Sequence, residues 1–233
     1  MEGSIANYVL KILENEEIGK PIYTKQISQN ISMDYNITLS KASSTVSNSI
    51  KRIMDSKAIP ELRSYQSGIY YRCKETVFGE TTIDTEQLIM DKYLYDDNGY
   101  ETGNYLLHKL GLTTQISKER IIATNFSKDC SRKDKKLDIT IRPAKTYITS
   151  KNKNYLQILD AIDLLDTSPI DSDDPYFLMG KHINNLHLDY EDLLALANRY
   201  YNQKTILSLA KIAAKRSTLW QNYTKTKIHL NYY

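Results

Sequence analysis

The sequence predicts a mixed α+β protein built from two parts. Its 233 residues are 41% hydrophobic and 25% charged, which is ordinary for a folded chain of one large or two small domains. Apolar residues recur at helical spacing before residue 76 and after residue 151, and short segments between these parts alternate like strands. We therefore expect a first domain over residues 1–76 and a second over 77–233. The second should contain a small mixed sheet over 77–150, helices over 151–216 and a loose tail over 217–233.

Three helices are predicted in the first domain. Periodic apolar residues place them at Ser4–Glu14, Thr24–Ile31 and Lys41–Lys57. The first helix should end before Gly19–Pro21, because glycine and a following proline stop helices. A polar turn over 34–38 separates the second helix from the third. The residues expected to cap the three helices are Ser4, Thr24 and Ser40.

The third predicted helix has two unlike faces. An apolar stripe, expected to be buried, contains Ala42, Val46, Ile50, Ile53 and Met54. The opposite face carries short polar and basic residues, namely Lys41, Ser43, Ser44, Ser47, Asn48, Lys51 and Arg52. Short polar side chains let a helix lie close to the floor of the DNA major groove, and cations at its edges can reach phosphates. We expect this face to bind duplex DNA, with Arg52 on phosphate.

A β-hairpin is predicted directly after the third helix. Two segments rich in strand-forming residues, Leu62–Tyr65 and Ile69–Arg72, flank a turn over Gln66–Gly68. Three helices followed by a hairpin are typical of a winged helix-turn-helix. Arg63 and Arg72 on the strands and Gln66 at the tip are then expected to contact the DNA backbone or the minor groove. Small modules of this design also dock proteins, but the basic excess favours DNA.

Charge is distributed in blocks along a chain whose net charge is only +3. Basic residues outnumber acidic ones over 41–74 and 118–153, acidic residues dominate 155–192, and 199–227 is basic again. Such blocks are typical of a protein with a surface that faces a polyanion, although solvated helix faces give a similar pattern.

Several classes of protein are disfavoured by the sequence. No apolar run is long enough to span a membrane, and the N-terminus lacks the layout of a secretion signal, so we expect a cytoplasmic protein without a membrane partner. Two cysteines are too few for a disulfide scaffold or a cysteine-based zinc site, and no cofactor is expected. An enzyme acting on nucleic acid would need clustered carboxylates or a histidine pair. The acidic residues lie in an exposed-looking stretch and the histidines are scattered, so we do not expect an enzyme.

The second predicted domain contains a long motif at Gly99–Gln115. It is predicted to form a glycine turn, then a helix of about two turns that ends at Gly111. A buried strand is predicted at Ile121–Asn125, followed by a charged turn at Arg132–Lys136 and a strand at Leu137–Pro143. The glycine spacing suits turns and close packing and differs from phosphate-binding loops. His108 is a lone histidine, which is more typical of packing than of catalysis.

The motif Gly-Tyr-x-Thr-Gly-x-x-Leu-Leu-His-x-Leu-Gly-Leu-Thr-Thr-Gln resembles the AbiEi family of bacterial antitoxins, as does the strand Ile121–Asn125. This resemblance implies a type IV toxin–antitoxin system of phage defence by abortive infection. In that family a winged helix-turn-helix precedes an antitoxin domain and represses its own promoter at inverted repeats. The antitoxin opposes a nucleotidyltransferase-like toxin without a stable complex. The candidate antitoxin residues are Gly99, Tyr100, Thr102, Gly103, His108, Leu110, Gly111, Thr113, Thr114 and Gln115, with Arg132 and Lys133 from the charged turn.

The last third of the sequence is predicted to be helical. Helices are expected at Tyr155–Asp166, Tyr176–Asn184, Tyr190–Tyr201 and Lys204–Lys215. The acidic segment between Pro169 and Pro175 lacks the glycine and glutamate of a calcium loop and is interpreted as a solvated loop.

The sequence is also compatible with an alternative function. The protein could be a winged-helix transcriptional regulator whose second domain binds a ligand or dimerises, with no toxin partner.

Overall fold

The computed structural model describes residues 4–215, and the chain divides into two compact units, Met1–Ile89 and Met90–Tyr233. The division falls after Ile89, whereas the sequence placed it after Thr76. Backbone hydrogen bonds explain the difference, because the Asp84 amide donates to the Gly19 carbonyl at 2.8 Å and ties the added segment to the first unit. Within residues 4–215 no helix is long and apolar enough to cross a lipid bilayer.

The first unit begins with three helices, and all three were predicted. They are α1 (Ile5–Asn15), α2 (Thr24–Asp34) and α3 (Leu39–Asp55). Ser4 caps α1 as expected, since its hydroxyl accepts a hydrogen bond from the Ala6 amide at 3.3 Å. The other two predicted caps were wrong. Thr38 rather than Ser40 caps α3, and Thr24 lies inside α2 with its hydroxyl donated to the Gly68 carbonyl.

A small antiparallel sheet completes the first unit. Its strands are β1 (Ile22–Tyr23), β2 (Leu62–Gln66) and β3 (Ile69–Arg72), in the order β1-β3-β2. The β2–β3 hairpin was predicted, although Gln66 pairs with Ile69 at the end of β2 instead of lying in the turn. The core beneath the sheet is formed by α1, α2 and α3, whose fully buried residues are Val9, Leu13, Ile31, Ala42, Val46 and Ile50.

A second hairpin and a short helix follow, and neither the hairpin nor the cap of the helix was predicted. The hairpin pairs β4 (Glu75–Thr76) with β5 (Gly79–Glu80). Helix α4 (Thr85–Ile89) begins after Asp84, whose carboxylate accepts a hydrogen bond from the Gln87 amide at 3.0 Å. Asp84 therefore caps the N-terminus of α4.

The second unit contains a mixed four-stranded sheet. Its strands are β6 (Gly99–Thr102), β7 (Arg120–Thr124), β8 (Arg132–Asp134) and β9 (Ile139–Arg142), in the order β6-β7-β9-β8. Strands β7 and β9 run parallel and the other pairs are antiparallel. The strands near Ile121 and Ile139 were predicted. The prediction of a glycine turn at Gly99 was wrong, because that segment forms the buried strand β6. The predicted charged turn begins as strand β8.

The second unit begins with a π-helix (Met90–Leu94) and a 3-10 helix (Tyr95–Asp97), and five α-helices of the described chain also belong to it. They are α5 (Gly103–Lys109), α6 (Lys153–Leu164), α7 (Pro175–Asn185), α8 (Tyr190–Tyr200) and α9 (203–215). All five were predicted with small shifts of their ends. Gly111 follows α5 with a φ of +70°, which confirms the predicted glycine stop. The predicted tail and His229 lie outside the described residues.

Candidate nucleic-acid interface

Helix α3 is fixed by its apolar stripe. Ala42, Val46 and Ile50 are completely buried, Ile53 is nearly so, and Met54 is half-buried. The stripe follows the 3.6-residue period of an α-helix, and this period places the intervening residues on the far side. The prediction that the apolar face of α3 points into the core is confirmed.

The opposite face of α3 is exposed throughout. Its exposed residues are Lys41, Ser43, Ser44, Ser47, Asn48, Lys51 and Arg52. Among residues 4–215, Lys41, Lys51 and Arg52 have no ion-pair partner, and the side chains of Ser43, Ser47 and Asn48 make no hydrogen bond. The Ser44 hydroxyl donates to the Ser40 carbonyl at 3.0 Å and retains its acceptor lone pairs. This face therefore offers three uncompensated cations together with polar groups that are free to bind a ligand.

The charges on α3 are not evenly placed along its length. Asp55, in the last turn, is the acidic residue of the helix and is exposed. Lys41 lies in the first turn, whereas Lys51 and Arg52 lie one turn before Asp55. An exposed carboxylate repels phosphate. Asp55 therefore offsets part of the positive charge that Lys51 and Arg52 place near the end of α3.

Arg63 does not present a free charge. Its guanidinium is bound by Glu80, with Nε to Oε2 at 3.1 Å and Nη2 to Oε1 at 2.5 Å. Its Nη1 donates to the carbonyls of Pro60 at 2.7 Å and Leu62 at 3.0 Å. The hydrogen bonds from Arg63 lower the pKa of Glu80, so this pair remains charged and mutually compensated at neutral pH.

Arg72 is also committed within the first unit. It binds the Glu61 carboxylate at 2.5 Å and donates to the carbonyls of Glu14 and Glu16. The hydrogen bond from Arg72 lowers the pKa of Glu61. These contacts tie the β2–β3 hairpin to the end of α1. The surroundings of Arg63 and Arg72 therefore support structural roles and leave neither guanidinium available as a simple phosphate ligand.

The tip of the β2–β3 hairpin is held against α2. The Gly68 carbonyl accepts hydrogen bonds from the Thr24 amide at 3.0 Å and from the Thr24 hydroxyl at 3.3 Å. Gly68 has a φ of +80°, a conformation that glycine adopts easily. Gln66 is half-buried and Ser67 is exposed. The hairpin is thus short and anchored at its turn, where Ser67 is exposed.

One candidate residue was missed in the sequence. Lys25 lies in the first turn of α2, is exposed and forms no ion pair with the residues from 4 to 215. A helix N-terminus with an adjacent free lysine favours phosphate electrostatically. The predicted helix start at Thr24 already placed a lysine at a helix N-terminus, but the DNA contacts predicted from the sequence were limited to α3 and the hairpin.

The Gly99–Gln115 motif lies in the second unit, where several of its residues are part of the buried structure. The Thr102 hydroxyl donates to the Asp160 carboxylate at 2.9 Å. The Arg142 guanidinium donates to the Thr102 hydroxyl oxygen and to the same Asp160 carboxylate. Tyr201 donates its hydroxyl to the other Asp160 oxygen at 2.8 Å. Burial and the Asp160 charge raise the pKa values of Tyr100 and Tyr201. This network joins β6 and β9 to α6.

The motif also contains positions that require particular residues for packing. A β-carbon at Gly99 would lie 2.2 Å from the Tyr93 carbonyl oxygen, and one at Gly103 would lie 3.0 Å from Ile121.

Thr114 binds the Asp171 carboxylate through its amide and through its hydroxyl at 2.6 Å. The hydrogen bond from the Thr114 hydroxyl lowers the pKa of Asp171. Thr114 therefore anchors the acidic segment that the sequence predicted to be a solvated loop.

The remaining candidate antitoxin residues are dispersed. His108 and Leu110 are half-buried, and the Leu110 carbonyl contacts His182 Nε2 at 2.9 Å. Thr113 is buried and accepts from the Gln115 amide at 3.2 Å. Arg132 and Lys133 are exposed, and Lys133 pairs with Asp138 at 2.7 Å. The exposed members of the set are Gly111, Thr114, Gln115, Arg132 and Lys133.

Other kinds of site receive less support from the described chain. Across residues 4–215 no group of three or more His, Cys, Asp or Glu side chains could hold a metal ion. Searches of protein-family models, curated proteins and solved structures found no match to this chain. The exposed face of α3 is therefore the strongest candidate site, and it is identified from its own geometry and charge.

Proposed function

We propose that this protein is a DNA-binding antitoxin of a type IV toxin–antitoxin system that represses its own promoter. The observation that carries the DNA-binding half is the exposed face of α3, where Lys41, Lys51 and Arg52 have no acidic partner among residues 4–215. Cations on one face of a helix are the electrostatic footprint of a nucleic-acid binder.

The architecture of the first unit supports a winged helix-turn-helix. Three helices precede an antiparallel hairpin, and β1 joins that hairpin as a third strand. In such modules the third helix enters the major groove while neighbouring groups hold the backbone. Here α3 would enter the groove, and Lys25 together with Ser67 would contact phosphates beside it.

The antitoxin half of the proposal rests on the resemblance of Gly99–Gln115 to AbiEi antitoxins. Because Tyr100, Thr102 and Gly99 serve the buried structure, we place opposition to the toxin on the exposed positions Gln115 and Arg132. These are solvent-accessible positions of the second unit, which leaves α3 of the first unit for promoter DNA. The two activities should then be separable by mutation.

Binding to the protein's own promoter tests the first half. The full chain is titrated against a labelled duplex from the region upstream of its gene, and against a scrambled duplex of equal length and composition. We expect tighter binding to the upstream duplex at fixed salt, and lower reporter expression from that promoter in cells. Equal binding to both duplexes and an unchanged reporter would contradict the proposal.

Co-expression with the product of the neighbouring gene tests the second half. We expect that gene to be toxic alone, and the full chain to restore growth. A matched variant with Lys41, Lys51 and Arg52 replaced by Gln should lose promoter binding yet still restore growth. A neighbour without toxicity, or growth that the full chain fails to restore, would contradict the antitoxin assignment.

A second candidate function is supported by a pocket in the second unit. It has a volume of about 220 Å³ and lies between α7 and α9, with Tyr176, Phe177, Lys181, Asn184 and Lys215 among its lining residues. Lys215 is paired with Asp174, so Lys181 is the lining cation that has no acidic partner among residues 4–215 and could bind a small anionic ligand. This observation favours a winged-helix regulator whose second unit senses a ligand, and that reading predicts a harmless neighbouring gene.

A further inference from the structure

We propose that Asn48 is the specificity-determining residue of the α3 surface and that it reads an adenine in the major groove. This inference rests on the proposed DNA-binding function and deepens it, because it names the base that the surface recognises. The argument depends on where Asn48 lies on α3, what its amide already binds, and which side chains surround it.

Asn48 lies almost opposite the buried side of α3. It follows Val46 by two residues, which is about 200° around the helix axis. Val46 is completely buried and Asn48 is exposed, so the side chain of Asn48 leads away from the core. When α3 lies in a groove and its apolar stripe faces the protein core, Asn48 lies near the line along which the helix comes closest to the bases.

The amide of Asn48 is unused within the described part of the chain. Neither its oxygen nor its nitrogen makes a hydrogen bond to another residue of 4–215. A side-chain amide presents one acceptor beside one donor group, which matches the N6 donor and N7 acceptor of adenine. Guanine presents two acceptors on the same edge and is matched by a guanidinium or ammonium group instead.

The neighbours of Asn48 allow it to reach the base edges. Ser44, one turn earlier, and Ser47 are both small and exposed. The Ser44 hydroxyl is folded back onto the Ser40 carbonyl, which shortens its reach further. The short serine side chains do not hold the helix away from the groove floor, so Asn48, whose amide reaches one bond farther than a serine hydroxyl, can bridge the remaining gap. Lys41 and Arg52 lie on the same side of this face near the two ends of α3, where they suit phosphates.

The experiment combines a base analogue with a protein variant. The full chain is used to select preferred sites from a randomised duplex library. Each adenine of the selected site is then replaced singly by 7-deazaadenine, which lacks the N7 acceptor but keeps base pairing. Binding constants are measured at fixed salt for the wild type, for Asn48→Ala and for Asn7→Ala, an exposed asparagine of α1 that serves as the matched control.

We expect one adenine per half-site at which the analogue weakens wild-type binding about tenfold. The same replacement should leave binding by Asn48→Ala unaffected and should weaken binding by Asn7→Ala as it weakens wild-type binding. Selective binding in which no adenine shows this coupling to Asn48 would overturn the adenine assignment while leaving the proposed function standing. Failure of the full chain to prefer any duplex would overturn both. The wild-type measurement does not depend on how well either variant folds.

Discussion

Arg63 on β2 and Glu80 on β5 form a two-pronged ion pair, with nitrogen–oxygen distances of 3.1 and 2.5 Å. This pair connects two hairpins of the first unit that are adjacent in the sequence. It also compensates a positive charge that the sequence analysis assigned to DNA. Among the exposed cations of the first unit that have no acidic partner within residues 4–215, three share one face of α3 and Lys25 begins α2. The others, Lys11, Lys57 and Lys74, lie elsewhere.

Replacing Arg63 by Gln is expected to change DNA affinity by less than about twofold, because Glu80 already compensates this guanidinium. Replacing Lys51 by Gln should weaken binding to every duplex and reduce the slope of log affinity against log salt by about 0.9, as expected for one lost phosphate contact. Titrations at several salt concentrations measure both effects. A larger loss from Arg63→Gln than from Lys51→Gln would show that the hairpin carries the contact.

Gly99→Ala is expected to lower the free energy of unfolding by about 2–3 kcal/mol or more, since the added β-carbon would meet the Tyr93 carbonyl at 2.2 Å and force backbone to move. Urea denaturation measures the loss. Gly180→Ala is the control, because its β-carbon would find its nearest neighbour, Ile212, at 3.4 Å. That control should remain within about 1 kcal/mol of the wild type. Equal stabilities for the two variants would contradict the close approach at Gly99.

Asp160→Asn is expected to destabilise the second unit by about 3 kcal/mol, because Asp160 is only 3% exposed and its loss of charge leaves Arg142 without its partner. Thermal or urea unfolding of the full chain reports the change. Asp166→Asn provides the comparison, since Asp166 is exposed, and it should shift stability by less than about 0.5 kcal/mol. Indistinguishable effects of the two substitutions would argue against a buried network.

Asp134 should make stability depend on acid pH. Burial opposes the shift, but hydrogen bonds from Lys92 and Tyr93 prevail and lower the pKa of Asp134 from 3.8 to about 2. A carboxyl group whose pKa is lowered by folding stabilises the folded state above its unfolded pKa and loses this effect as the pH falls toward its folded pKa. Because Lys92 is half-exposed, we expect a contribution of about 1–2 kcal/mol at pH 7.

Unfolding free energies of the wild type and Asp134→Asn, measured from pH 7 to pH 3, test this dependence. The variant should be less stable at pH 7, and the difference should shrink to about half by pH 3. A difference that stays constant over this range would mean that the ionisation of Asp134 contributes nothing.

The helices were predictable from the sequence because their cores depend on local spacing. The buried positions Ala42, Val46 and Ile50 follow the helical period, so both the existence of α3 and its inward face could be read directly. Its exposed polar face follows from the same period. The exact cap was less predictable, since Thr38 and Ser40 are both capable of capping and only the backbone distinguishes them.

The features that were not predicted depend on partners distant in sequence. Gly99–Thr102 looks like a turn locally and becomes a strand by pairing with Ile121–Thr124. Arg72 looks like a free cation until Glu61 and the end of α1 are brought beside it. Thr114 likewise gains its role only when the loop carrying Asp171 folds back onto it. Local pattern can identify exposed charge, but it cannot reveal which charges the fold compensates.

The salt dependence of duplex binding tests the central claim most directly, namely that the exposed face of α3 holds DNA. Full-length wild type is compared with a variant carrying Lys41→Gln, Lys51→Gln and Arg52→Gln, and with Lys11→Gln on α1 as control. We predict that the triple variant binds more weakly and that its slope of log affinity against log salt is smaller by about 2.7, from about 0.9 per phosphate contact, while the control matches the wild type. Equal affinities and parallel slopes for the triple variant and the wild type would contradict the account.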